Sequence, residues 1–196
     1  MSEISTAKAA RQRADARQNA AAILDAAAEA LGVRPEAGLA EIARRAGISR
    51  QTLYAHFPSR DALVNALIER ATGRVLAALE AANLEHGPAD EALVRFLEVG
   101  WRSFETDPFL LHLAAPPVPP EQDRERHAPV FEHLHRVVSR GQREGTIDPG
   151  MARDWILAAV LALGHAAGEE VRAGRMSSAE AVNTLRRDIP RLLHPE

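Results

Sequence analysis

The sequence predicts an all-α protein of about nine helices, and three observations predict it. Aromatic residues make up only 4% of the 196 residues, while Ala, Leu, Arg and Glu, all good helix formers, dominate. Apolar residues recur three and four apart along most of the chain, the period of a helix that buries one face. Glycine and proline punctuate these stretches at helix-length intervals. The expected organisation is a small N-terminal domain over residues 1–58 and a larger helical domain over 59–196.

The elements follow in order. A first helix runs through the alanine-rich stretch to Leu31, with Ile23, Leu24, Ala27 and Leu31 on one face and Gly32 placed to cap its end. A second spans about Leu39 to Ala46 and ends at Gly47; a third follows Ser49, a good N-cap, and Pro58 stops it. Ser59 caps a fourth helix with Asp61 in its first turn, its apolar face formed by Leu63, Leu67 and Ile68, and it extends to about Leu84. After the break at His86-Gly87-Pro88, Asp90 caps a fifth helix whose Leu93, Phe96, Leu97, Gly100, Trp101 and Phe104 share a stripe. Asp107-Pro108 starts a short sixth helix, and the prolines between Pro116 and Pro120 end it as a stiff surface connection. A seventh, started or kinked at Pro129, carries Phe131, Leu134, Val137 and Val138 and ends near Gly141 to Gly145.

The last two helices present stripes that suit pairing with a second copy. From Met151, one carries Trp155, Ile156, Ala159, Val160, Leu163 and Ala167, with Gly164 and Gly168 allowing close approach; the other carries Val182, Leu185, Ile189 and Leu192 until Pro190 ends or kinks it. Two such helices per subunit make a four-helix bundle, with Ile156, Ala159, Val160, Leu163, Val182, Leu185 and Ile189 at a homodimer interface. The alternative use of both stripes is the protein's own core.

Charge divides the chain. Residues 1–60 hold nine Lys and Arg against six Asp and Glu, a balance of +3, and the remainder carries −6, which sums to the net −3. A basic head on an acidic body suits an anionic partner such as nucleic acid. The absence of cysteine excludes disulfides, thiolate metal sites and a cysteine nucleophile. No Gly-rich phosphate loop, nucleophile elbow or paired-histidine zinc helix is present, so no catalytic residues, metal or cofactor are expected. With no apolar run near the length of a membrane span, the expected compartment is the cytoplasm.

Function is concentrated between Leu39 and Leu63, which reads LAEIARRAGISRQTLYAHFPSRDAL. Two short helices joined by a glycine turn fit a helix-turn-helix, in which the first helix braces and the second enters the DNA major groove. Ile42, Ala43, Ala46, Ile48, Leu53 and Phe57 form its small core, and Gly47 accepts the left-handed turn. The order Ile-Ala, Ala-Gly-Ile-Ser, Leu-Tyr-Ala-His-Phe and then Arg60 resembles the signature of the TetR family of transcriptional regulators. The resemblance is dense over the first three helices and elsewhere rests on helix count and length. It implies a homeodomain-like head and a body that senses ligand and dimerises.

It also implies roles for residues. The third helix supplies base contacts, with Ser49 at its start and Arg50 and Gln51 in its first turn; an Arg fork pairs guanine and a Gln amide pairs adenine. Thr52, Tyr54, His56 and Arg60 match the family's phosphate clamps, and Tyr54 can also meet a thymine methyl. Gly38 departs from the pattern, standing where many members have a capping Ser or Thr. Lys8, Arg11, Arg13 and Arg17, read as preceding the first helix, either reach DNA or remain a solvated arm. In the body, the resemblance implies a small-molecule pocket lined by Phe96, Trp101, Phe104, Phe109, Phe131 and Trp155, with Arg102, His112, His133 and His135 as polar anchors. His133 and His135 lie two apart on a helix and diverge, so they do not share a metal. The expected function is a palindrome-binding repressor released by a small, largely apolar effector. A body that only dimerises or binds a protein partner is the competing reading.

Overall fold

The structure, a computed structural model, describes residues 2–110 and 120–194, and among these it contains eight helices and no strand. They are α1 Ser2–Val33, α2 Leu39–Arg45, α3 Arg50–His56, α4 Arg60–Ala81, α5 Ala89–Thr106, α6 Pro120–Glu144, α7 Arg153–Arg172 and α8 Ser178–Leu193. The chain forms two compact units, Met1–Arg70 and Ala71–Glu196, and the division falls inside α4 rather than at Pro58. The reason is visible in burial. Leu63, Val64 and Leu67 are buried but stand outside the core of the second unit, which takes up α4 from Val75 and Leu79 onward.

In the first unit, Ile23, Ala27, Ala30 and Leu31 of α1, Ile42 and Ala43 of α2, and Leu53 of α3 are buried. The alanine-rich stretch is helical from Ser2, so the basic positions Lys8, Arg11, Arg13 and Arg17 belong to α1 instead of preceding it, as the high helix propensity of alanine favours. Arg11 is exposed; the side chains of Lys8, Arg13 and Arg17 lie outside the described residues. The helix also passes through Gly32 to Val33. It stops before Arg34-Pro35, where the proline disfavours helical backbone in the preceding residue. Gly47, at φ +67°, takes the left-handed turn between α2 and α3, and Ser59 caps α4 by accepting from Ala62 N at 3.0 Å.

The second unit is built on α5, which packs against α6 and α8, with α7 closing against both of those. Leu93, Phe96, Leu97 and Trp101 of α5 join Leu134, Val137 and Val138 of α6, Ile156 and Val160 of α7, and Leu185, Ile189 and Leu193 of α8 in one core. Each such side chain contributes about 1.5–3 kcal/mol by leaving water. Trp101 Nε1 also donates to Ser178 Oγ at 2.9 Å, tying α5 to the start of α8. Gly141 is required by packing, because a Cβ there would lie 2.6 Å from Ile147 Cδ1.

Several boundaries differ from expectation, each for a local reason. α5 begins at Ala89 with Pro88 at its N-cap; Asp90 sits in the first turn, and Glu144 Oε2 accepts the Ala89 N–H at 3.1 Å. Asp107 closes α5, accepting Leu110 N at 2.9 Å, and most of the short helix expected after it lies outside the described residues. α6 starts at Pro120 and runs straight through Pro129, and α8 continues through Pro190 to Leu193. A helix-interior proline costs roughly 3 kcal/mol. Burial of Leu134, Val137 and Val138 beyond the first proline, and of Ile189 and Leu193 around the second, offsets that cost. Ser177 and Glu180 form a capping box at the start of α8, and their hydrogen bonds lower the Glu180 pKa, the backbone N–H of Ser177 first.

Candidate nucleic-acid interface

The head presents one polar surface, and its geometry follows from how α3 is seated. Ser49 is the N-cap of α3: its hydroxyl accepts from Thr52 N at 3.0 Å and pairs with Thr52 Oγ1 at 2.8 Å. Leu53 is fully buried, which orients the helix about its axis. The opposite face must then point outward. Arg50 and Gln51 are exposed, Tyr54 is 52% exposed one turn after Arg50, and Thr52 and His56 are half-buried at its flank. The exposed Tyr54 ring carries a hydroxyl that can donate to a partner at this face.

Arg60 is exposed at the start of α4 and donates to the Pro35 carbonyl at 2.5 Å, so the loop before α2 and the start of α4 are fastened together. Glu41 ties α2 to that loop through an ion pair with Arg34 and reaches Arg45 at 3.6 Å. The α2 N-cap, Gly38, has φ −85° and ψ 159° and no side chain to bond the free N–H groups of the first turn, which therefore remain as donors. Arg44, absent from the residues expected at DNA, is exposed in the last turn of α2 beside the Gly47 turn, and the Arg44-Arg45 pair is its signal in the sequence.

Residues 23–67 match the family described as "Bacterial regulatory proteins, tetR family". The segment begins at buried Ile23 and ends at buried Leu67, so it is the same stretch that packs as the head. The head, over these residues, is a tetR-family domain. Among relatives in this family, the HTH-type transcriptional repressor LfrR of Mycolicibacterium smegmatis is 42% identical over 77 residues, 39% of this chain and 41% of LfrR. The match thus spans about two-fifths of that relative's length. The HTH-type transcriptional regulator NfxB of Pseudomonas aeruginosa is 28% identical over 164 residues, covering 83% of this chain and 88% of NfxB. A crystal structure of LfrR from Mycobacterium smegmatis, in complex with proflavine, superposes with a TM-score of 0.66 at 27% identity over 89% of this chain and 96% of that one.

The body places the other expected residues differently from one another. Phe96, Trp101 and Phe109 are buried; Phe104, edge-on to Trp101 at 5.9 Å between ring centroids, and Phe131 are half-buried. His135 and Arg102 are exposed on α6 and α5, His133 is half-buried with its Nδ1 2.8 Å from Arg136, and His112 lies outside the described residues. Trp155 is 64% exposed, on the outer face of α7. Of the residues expected at a dimer interface, Ile156, Val160, Leu185 and Ile189 are buried in the subunit's own core, Ala159 and Val182 are half-buried, and Leu163 is exposed. The stripe turned outward by α7 is instead Trp155, Ala162, Leu163 and Ala166, and Gly164 has open space around it. Among the described residues, no helix is long and apolar enough to cross a membrane, and no group of His, Asp or Glu side chains is arranged to hold a metal.

Proposed function

We propose that this chain is a transcriptional repressor that binds a palindromic DNA operator as a homodimer and is released by a small, largely apolar effector. The observation that carries the reading is the exposed Arg50, Gln51 and Tyr54 face of α3, held outward by the Ser49 cap and the buried Leu53. Arg50 and Gln51 read base edges; Thr52, Tyr54, His56 and Arg60 meet phosphate and set register. Arg44 adds charge at the same end of α2.

The homodimer forms through the outer face of α7, where Trp155 and Leu163 leave an apolar surface that a second copy covers by symmetry. The half-buried Phe104 and Phe131 beside the body's core supply apolar surface for an effector. That LfrR is named a repressor and is seen in complex with proflavine supports a repressor that takes a small molecule. Regulation follows if effector favours a dimer whose two α3 helices no longer match major grooves about 34–36 Å apart. Operator must then weaken effector binding by the same factor.

The test is selection of bound sequences from a random duplex library at two salt concentrations, with wild type and Arg50→Ala. A palindromic site whose affinity falls steeply with salt, and whose preference relaxes at one position in the variant, supports the reading. Failure to enrich any site removes it.

A further inference from the structure

The packed part of the head begins well inside its first helix. α1 is continuous from Ser2 to Val33, yet the first buried residue among those described is Ile23, which is also where the family match starts. Arg11, Gln18, Asn19 and Ala22 are exposed. Residues 2–22 therefore form about 30 Å of helix outside the core that the described residues define. An isolated alanine-rich helix of this length is marginal in water, because its first turn is costly to form. Here Ile23, Ala27, Ala30 and Leu31 are already packed, and the extension propagates from a turn that exists.

The composition of the extension does not suit burial. Ile4 is its one large apolar residue and eight of the others are alanine, so it has no apolar stripe to lay in a groove, on a second copy or on a lipid surface. Its charge is distinctive instead. Lys8, Arg11, Arg13 and Arg17 stand against Glu3 and Asp15, a balance of +2 out of the +3 carried by residues 1–60. Ser, Thr, Gln and Asn fill the remaining positions, residue types that bond phosphate and sugar oxygens. α1 packs against α2 and α2 against α3, so the root of the extension is held in the same unit as the reading helix.

We propose that residues 2–22 of α1 are a second DNA-contacting element, which lies against the phosphates of the duplex flanking the half-site and reads no sequence. Its place beside a half-site rests on the regulator reading above; its attraction to duplex needs charge alone. A helix of about 30 Å is nearly as long as one turn of B-DNA, roughly 34–36 Å, so it spans backbone beyond the reach of the short α3. Each charge that meets a phosphate releases a counterion, which makes the contribution steeply salt-dependent and indifferent to base sequence. The extension lengthens the footprint without lengthening the recognised site.

The test compares wild type with a full-length variant carrying Lys8→Gln, Arg11→Gln, Arg13→Gln and Arg17→Gln. Three duplexes are used: the selected site in long flanks, the same site trimmed to its ends, and a random sequence of the longer length. Glutamine is a good helix former, and equal helix signals and melting temperatures show that the variant is folded. Wild type binds the long site more tightly than the trimmed one, and this gain shrinks roughly tenfold between about 50 and 200 mM salt if two charges meet phosphate. The variant loses the gain and its salt dependence, and binds the trimmed site as wild type does. Arg11→Gln alone, which gives a smaller loss in the same direction, serves if the fourfold variant folds poorly. Equal flank dependence in wild type and a folded variant overturns the proposal, as does an equal loss of affinity on the long and trimmed sites. Proteins that differ on phosphatidylglycerol vesicles or in self-association, and not on duplex, overturn it too. If no site is enriched but the long random duplex still separates wild type from variant, the operator reading falls and the phosphate contact stands.

Discussion

The exposed faces of α3 and α7 are both turned to solvent, yet their chemistry is opposite. α3 shows Arg50, Gln51 and Tyr54, side chains with hydrogen-bonding tips on a helix fixed by a local cap. α7 shows Trp155, Ala162, Leu163 and Ala166, an apolar strip with no such tips at its centre. The difference teaches what each surface can select. Directional donors distinguish one sequence of acceptors from another, while an apolar strip rewards any well-shaped apolar surface, and a symmetric copy of itself fits that description.

The comparison can be broken from the α7 side first, where the largest effect is expected. Trp155→Ala removes a large exposed ring from the proposed interface and costs about 2–4 kcal/mol of dimer affinity, as a central aromatic anchor does. Sedimentation across a dilution series reads this as a shift toward monomer, with loss of palindrome binding; an unchanged dimer would place the interface elsewhere. Next comes the core beneath that face. Gly141→Ala drives a methyl group into Ile147 and destabilises the body by roughly 1–3 kcal/mol, visible in denaturant melts as a lower midpoint.

On the α3 side, Arg50→Ala costs about 1–3 kcal/mol at one base position, whereas Tyr54→Phe weakens all duplexes alike if the hydroxyl meets phosphate. Equal behaviour of the two variants across sequences would erase the division between reading and clamping. The smallest effect sharpens the comparison. Gly38→Ser supplies the missing cap of α2 at a position with open space and extended backbone, and gains a few tenths of a kcal/mol in head stability. Its hydroxyl adds a phosphate donor, so duplex affinity rises slightly; a fall in both quantities would contradict the cap geometry.

The two faces were not equally legible in the sequence. Every feature of α3 is local: Ser49 caps it, Gly47 turns into it, Leu53 seats it and Pro58 follows its end, all within a dozen residues. The body required knowledge of distant partners. The stripe Ile156, Val160, Leu185 and Ile189 has a periodicity that serves a dimer seam or a subunit core equally well, and only the packing of the body shows these four side chains buried within the subunit. α7 carries apolar residues on two sides, so periodicity could not say which side faced inward. Pro129 and Pro190 misled for a related reason: the rule that proline ends a helix is local, and the burial that overrode it comes from other helices. The division inside α4 was likewise invisible, since Arg70 and Arg74 find their partners 45 and 33 residues away.

The fastening of α8 bears on the order in which the protein is made. Leu193 is fully buried, and its carbonyl accepts the Asp148 N–H at 2.8 Å, so the last turn of α8 locks the loop between α6 and α7. The body therefore cannot close its core until α8 has left the ribosome. The head, whose buried residues all precede Ala71, has everything it needs much earlier. During synthesis a folded, basic head is tethered to an unfinished body. A nascent chain stalled before α8 already carries the groove-reading helix, while the body that would hold α7 in place still lacks part of its core.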